Sequence, residues 1–276
     1  MINKENFKNL LKHLNFEEKK DVFSKFYPEN SNAYLKVDFK KEELIYPTDK
    51  GFVVNGEFTC NFSSDENFVV FECVNRLFEK GYKPEHIELE PKWKVGHGAS
   101  GGRADILVKD NSGKSLLIIE CKTEGAEFKK EWNNTLQRGG QMLTYAKQAG
   151  TTQYVCLYAS DFANGKVVYF SNIISLNDNE KLLQELADKK PLSFKEAKAL
   201  EVEDIYRAWK ETYNLVLFKK GELMKTVTET AKIFGVTRQT VLNWINKGII
   251  TASQPFKEYR IDEQEIERLK NKTKGQ

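Results

Sequence analysis

Apolar positions recur with a helical period at the start of the chain, where Phe7, Leu10, Leu11 and Leu14 share one face of Asn6–Leu14. The period then drops to two: Leu35, Val37 and Phe39 alternate through Tyr34–Phe39, the mark of a strand. Gly51–Phe62 carries Asn55-Gly56 between apolar residues, which predicts a hairpin. Ser64 suits the N-cap of a helix reaching about Lys80, with Phe68, Phe71, Val74 and Phe78 as its stripe and Gly81 as its stop. A short strand at His86–Glu90 leads into a glycine-rich turn region, Trp93–Gly102. Ala104–Val108 and Leu116–Cys121 read as strands joined by the turn Asp110–Gly113. A helix over Thr135–Ala149 and strands at Tyr154–Ala159 and Val167–Phe170 complete the series. Strands interleaved with helices predict an α/β class: a central mixed β-sheet flanked by helices, a sandwich around one sheet.

Past Ile174 the pattern becomes helical and highly charged through Asp178–Lys189, Ser193–Leu200 and Glu203–Asn214, until Gly221 interrupts it. A short helix-rich unit with its own periodicity follows, so the boundary is expected near Lys219–Gly221, giving units 1–220 and 221–276. With 276 residues, 40% hydrophobic and 12% aromatic, the chain can build cores of this size and is not a disordered polymer. Its apolar runs, such as the one around Val155, fall far short of the ~20 residues that cross a bilayer. Lys4, Glu5 and Lys8 already interrupt the opening stretch, so a cytoplasmic location is expected, with no membrane partner.

Forty-three basic and 40 acidic residues leave a net charge of +3, so any nucleic-acid surface must come from local arrangement. Cys60, Cys73, Cys121 and Cys156 stand far apart in apolar segments, and the histidines are only His13, His86 and His97. That supply argues against a zinc site and for reduced, buried thiols.

The richest chemistry lies in Gly101–Val108 and Leu116–Lys122. Residues two apart on a strand share a face, so Glu120 and Lys122 point one way while Ile119 and Cys121 point the other. Charges at the end of an otherwise apolar strand are costly unless something pairs with them. If the strand of Asp105 is the hairpin neighbour, its carboxylate comes within reach of Glu120, and two carboxylates that close repel unless a divalent cation lies between them. Hard oxygen ligands suit Mg²⁺ or Mn²⁺. Lys122 beside the cation could orient or deprotonate a water, or stabilise charge developing on a phosphate.

Ala104-Asp105 followed by Glu120-Cys121-Lys122 resembles the PD-(D/E)xK nuclease superfamily. Gln141-Met-Leu-Thr-Tyr145 resembles the QxxxY element of its RecB-like and type I restriction branches. The acidic helix, the Gly81-Tyr82 stop, the Glu88/Glu90 strand and Ile118–Gly125 resemble the nuclease domain of type I restriction enzymes, over about Asp65 to Phe170. The resemblance implies that Asp105, Glu120 and the main-chain carbonyl of Cys121 hold the metal. It also implies that Lys122 is the catalytic lysine and that Gln141 and Tyr145 hold substrate backbone or the lysine. Ala stands where the motif has Pro before Asp105. Either Glu66 or Glu72 could reach the metal through water, with Glu66 better matching the position ahead of the Gly-Tyr stop. His97 is a candidate helper in its loop, and Arg103 a candidate phosphate contact.

The second unit reads Val227–Ile245 with Ala231 where two helices cross, Gly235 at the turn and Thr237 as the next cap, around Phe234, Val236, Val241 and Trp244. It resembles the helix-turn-helix, and Gly248–Ile261 with a helix from Asp262 resembles the winged domains of the MerR and excisionase type. The resemblance places the second helix in the major groove, with Arg238, Gln239, Thr240 and Asn243 toward base edges. Lys247, Lys257 and Arg260 would contact phosphates.

Together these readings lead to a metal-dependent DNA endonuclease of a restriction-modification or phage-defence system. The rival is a DNA-binding regulator or accessory subunit on a non-cleaving nuclease-like fold, and an RNA substrate stays open. No Walker or methyltransferase motif occurs, so translocation or protective methylation falls to a partner subunit or to chain outside this sequence. Double-strand cutting with one site per chain calls for a homodimer.

Overall fold

Seven successive buried residues make the strand Ser115–Cys121 the centre of the larger unit. A strand buried on both faces must be covered on both, and its LLII run fits that demand. The computed structural model describes residues 1–28, 30–92, 102–179, 181–190, 192, 224–250, 252, 259–262, 265–266 and 268–270. Numbered along the chain, the elements of the first unit begin with α1 (Lys4–His13), β1 (Glu17–Lys19), β2 (Val22–Tyr27), β3 (Ala33–Asp38), β4 (Glu43–Ile45) and β5 (Val53–Val54). Next come α2 (Asp65–Glu79), β6 (Ile87–Leu89), β7 (Ile106–Lys109) and β8 (Ser115–Cys121). After these lie α3 (Ala126–Arg138), α4 (Gly140–Ala149), β9 (Tyr154–Ala163), β10 (Lys166–Ser175) and α5 (Lys181–Ala187).

Among the described residues the main sheet runs β10-β9-β8-β7-β6-β5, a mixed sheet in which β8 is antiparallel to β7 and parallel to β9. On one face Leu107, Ile118 and Leu157 pack with Met142, Leu143, Tyr145 and Ala146 of α4. The other face is covered by α2. Ser64 caps that helix by accepting the Glu66 N–H at 3.3 Å, and Gly81 at φ +91° lets the chain leave it. The α/β class with a central mixed sheet flanked by helices is therefore as expected, and that sheet has six strands among the described residues.

Three local expectations are corrected. The Asn55-Gly56 hairpin does not form. β5 pairs in parallel with β6, the Asn55 N–H and side-chain amide both donate to Leu89 O, and Gly56 is absent from the left-handed residues. Glycine is required there for a different reason: a Cβ would stand 2.2 Å from Glu90 Oε2.

The single helix Thr135–Ala149 is in fact two, α3 and α4, because Gly139 and Gly140 take φ +83° and +51°. A run of left-handed residues breaks the helical hydrogen-bond ladder.

The sheet is also not alone. β1 to β4 form a second, four-stranded antiparallel sheet, of which only β3 was expected. Its first hairpin turns at Lys20-Asp21, φ +53° and +64°, so the two left-handed positions carry none of the glycine that usually signals such a turn. Phe7 of α1 stacks on Phe68 of α2 at 4.4 Å and 32°.

Residues 1–207 and 208–276 form two compact units. The expected boundary at Lys219–Gly221 and the helices over Ser193–Leu200 and Glu203–Asn214 lie outside the described residues, as does most of Trp93–Gly102. In the second unit β11 (Met224–Thr226) precedes α6 (Val227–Phe234) and α7 (Arg238–Asn246), and β12 (Arg260–Asp262) returns antiparallel to β11. Thr226 and Glu229 close a capping box, Gly235 turns at φ +63° and Thr237 caps α7. Val227, Ala231, Val241, Ile250, Ile261, Ile266 and Leu269 form its buried core. Among the described residues no helix is long and apolar enough to cross a membrane.

Candidate functional site

The antiparallel register Ile106↔Ile119 and Leu107↔Ile118, extended by one residue, sets Asp105 opposite Glu120. Both then fall on the α4 face, the parity of Leu107 and Ile118. Asp105 Oδ2 accepts the Cys121 N–H at 2.7 Å, and the Asp105 carbonyl accepts the Glu90 N–H at 3.0 Å. Beyond the end of β8 the Lys122 N–H still donates to Tyr158 O at 2.9 Å, which holds the lysine on the line of the strand. Its ammonium donates to Glu120 Oε1 at 3.0 Å, Glu66 Oε1 at 3.2 Å and the Cys121 carbonyl at 2.9 Å. Glu66 comes from the first turn of α2.

Three carboxylates and one ammonium thus share one end of the sheet. Glu120 is 4% exposed, and its Oε2 is buried without a hydrogen-bond donor. Burial raises the Glu120 carboxyl well above the usual carboxylate range, and the Asp105 charge adds to the rise. Burial likewise raises Asp105, with Lys122 opposing. At Lys122, burial works to lower the pKa, but Glu120, Asp105 and Glu66 outweigh it and raise it, so the amine is held protonated. The ammonium is a monovalent cation among three oxygens, one of them main-chain. That donor set, with a further buried carboxylate oxygen left unpaired, fits a hard divalent cation. Among the described residues no three His, Cys, Asp or Glu side chains form a ready-made metal cage. A cation here would therefore need the Cys121 carbonyl as well as carboxylates.

Tyr145 and Gln141 separate. Tyr145 is buried on α4 and lies against Gly102, where a Cβ would come within 2.4 Å of its Cε1 and 2.6 Å of its Oη. Its hydroxyl pKa is pushed up to about 12, first by burial and then by the charges of Glu120 and Asp105. Gln141 is exposed one turn earlier. Glu72 is not with the lysine. Tyr158 lies opposite Cys121, on the α2 face, and donates to Glu72 Oε2 at 2.8 Å. Of the two helix carboxylates, Glu66 is the one in contact with Lys122.

Arg103 precedes Asp105 by two residues and stacks its guanidinium 3.8 Å from the Phe58 ring centroid, with Glu90 Oε2 3.7 Å from its Nη1. Phe58 did not stand out in the sequence, and Glu90 stood out only as part of the Glu88/Glu90 strand, because the Asn55-Gly56 turn signal masked the need for glycine against a buried acid. His97 lies outside the described residues.

In the second unit Arg238, Gln239, Asn243 and Lys247 are exposed on or at the end of α7, and Thr240 is half-buried, its hydroxyl 2.9 Å from that of Thr237. Gln239 donates to Asn243 Oδ1 at 3.3 Å. Lys257 and the side chain of Arg260 lie outside the described residues.

Residues 66–159 match the family model of the type I restriction enzyme R protein N terminus, from Glu66 to Ala159. Residues 226–274 match that of a helix-turn-helix domain. The chain is similar to an R protein N terminus joined to a helix-turn-helix. No curated protein matches it. The R-protein-like segment contains Glu66, Asp105, Glu120, Lys122, Gln141 and Tyr145, so the whole cluster falls inside the matched region. The helix-turn-helix match takes in α6, α7 and β12.

Proposed function

We propose that the protein is a Mg²⁺-dependent DNA endonuclease of a restriction or phage-defence system, a PD-(D/E)xK enzyme acting in the cytoplasm, with its helix-turn-helix selecting DNA. The observation that supports this reading best is the meeting of Glu66, Asp105, Glu120 and Lys122 at one end of the sheet, inside the segment similar to a restriction R protein. Asp105, Glu120 and the Cys121 carbonyl would hold Mg²⁺ or Mn²⁺, with Glu66 beside them; when bound, the cation supplies Lewis-acid stabilisation of the charge that builds on the phosphate.

The chain's own groups do the rest. Lys122, held protonated by its three carboxylate neighbours, would support the negative charge developing on the phosphate. Water attacks phosphorus in line and sheds its proton to solvent as the bond to the 3′-oxygen breaks, and that oxygen takes up a proton from solvent. Tyr145, its hydroxyl still protonated at neutral pH, can donate a hydrogen bond to the strand being cut, and Gln141 extends that contact outward. Arg238, Gln239, Thr240 and Asn243 would read bases, with Lys247, Lys257 and Arg260 on phosphates. A methyltransferase or motor partner supplies protection or translocation, and a second copy supplies the second cut.

Supercoiled DNA incubated with the full chain and Mg²⁺ should be nicked or linearised, and EDTA, Asp105→Ala or Lys122→Ala should stop it. Cutting by either variant at the wild-type rate refutes the assignment. Matched RNA in a parallel digest separates the two substrates. Tight DNA binding with no metal-dependent cutting, even with restriction subunits added, leaves the non-cleaving regulator in its place.

A further inference from the structure

A carboxylate buried with one oxygen unpaired is costly, and Glu90 at the end of β6 is such a group. It is wholly buried, and its backbone sits at φ +51°, a region side-chain-bearing residues rarely adopt. Oε1 accepts the Thr59 N–H at 2.8 Å and the Thr59 hydroxyl at 3.0 Å. Oε2 accepts no hydrogen bond; Arg103 Nη1 faces it at 3.7 Å. Gly56 leaves room for that oxygen, since a Cβ there would stand 2.2 Å away.

Arg103 is held from a second side by Phe58, an aromatic 60% exposed whose ring centroid is 3.8 Å from the guanidinium carbon. Its backbone bridges to Lys92, and the Glu90 N–H ties to the carbonyl of Asp105. The Arg103 side chain is 41% exposed, and among the described residues its guanidinium makes no hydrogen bond. A planar fork of donors with a fixed direction, two residues from Asp105, matches an anionic phosphate oxygen. A simple stabilising pair would have no need of a stacked, exposed guanidinium, nor of a glycine carved out for its partner.

We infer that Glu90 is a positioning residue, aiming Arg103 with the help of Phe58 at a backbone phosphate of the nucleic-acid strand entering the site. The inference builds on the nuclease reading of this unit, and its test is independent of cutting.

The full chain is titrated with labelled duplex DNA in Ca²⁺, and the logarithm of affinity is plotted against that of salt concentration. Each phosphate contact adds about 0.9 to the slope. Arg103→Ala should lower it by about that amount. Glu90→Gln removes one negative charge, so a bare charge effect would steepen the slope or leave it alone; mis-aiming Arg103 should instead lower it by about 0.9. Combining both changes should lower it no further. An unchanged slope in Arg103→Ala, or an unchanged or steeper slope in a folded Glu90→Gln protein, overturns the inference. Should Glu90→Gln not fold, Phe58→Ala, at an exposed position, must lower the slope, and an unchanged slope is equally fatal. A wild-type protein that never cuts yet shows these falls sinks the nuclease reading alone, whereas a cutting protein with unmoved slopes sinks only this one.

Discussion

Glu72→Gln tests whether burial governs the acid in the middle of α2. Glu72 has no exposed surface, and its Oε1 has no hydrogen-bond donor. Burial pushes its carboxyl up to about 7, while the Ser160 and Tyr158 hydroxyls and Arg76 hold it back only in part. The folded protein therefore keeps this proton at a pH where the unfolded chain, near 4.5, has lost it. Its contribution to stability is whole below about 4.5 and is lost as pH rises through about 7. At ~1.4 kcal/mol per pH unit, the rise amounts to roughly 3 kcal/mol, a large part of a usual folding free energy. Glutamine keeps the volume and an acceptor for Tyr158 but cannot ionise. The variant should match wild type near pH 4.5 and exceed it by up to roughly 3 kcal/mol at pH 8. Urea unfolding followed by circular dichroism from pH 5 to 8 measures the difference, in which titrations common to both proteins cancel. Parallel stability profiles refute the burial argument. Because Glu72 bonds Tyr158 and not Lys122, the variant should also cut DNA as wild type does. A stable variant that no longer cuts would move Glu72 into the site.

Other expectations concern backbone, cap and groove. Gly56→Ala places a methyl 2.2 Å from Glu90 Oε2 and should lower thermal stability by about 1–3 kcal/mol, as overpacking does; a melting temperature equal to wild type contradicts the packing. Thr226→Ala removes the cap that accepts the Glu229 N–H at 3.1 Å and should cost the second unit about 1 kcal/mol, read by hydrogen exchange in α6. Asn243→Ala should weaken binding to a preferred sequence by about 1–3 kcal/mol with the salt slope unchanged, while Lys247→Ala should lower the slope by about 0.9 on any sequence. The reverse pattern would exchange their roles.

Much of this molecule is written in short-range pattern. The run Leu116–Cys121 had to be a doubly covered strand, because apolar side chains on both faces leave no face for water. Ser64, Gly81, Thr226, Gly235 and Thr237 bound their helices where local cap and turn chemistry says they should. Asp105, Glu120 and Lys122 were legible as a group, since strand parity and a hairpin are local. The choice between Glu66 and Glu72 was not: both lie on one helix, and only the packing of α2 against β8 and β9 brings one to Lys122 and the other to Tyr158. Asn55-Gly56 spells a turn to a reader of neighbours, yet a carboxylate more than thirty residues away in sequence is what demands the missing Cβ. Caps, parity and turns act within a few residues and survive in the linear order. Which acid is dried out, which oxygen goes unpaired and which guanidinium is aimed depend on contacts between distant segments, and only the folded sheet and its helices decide them.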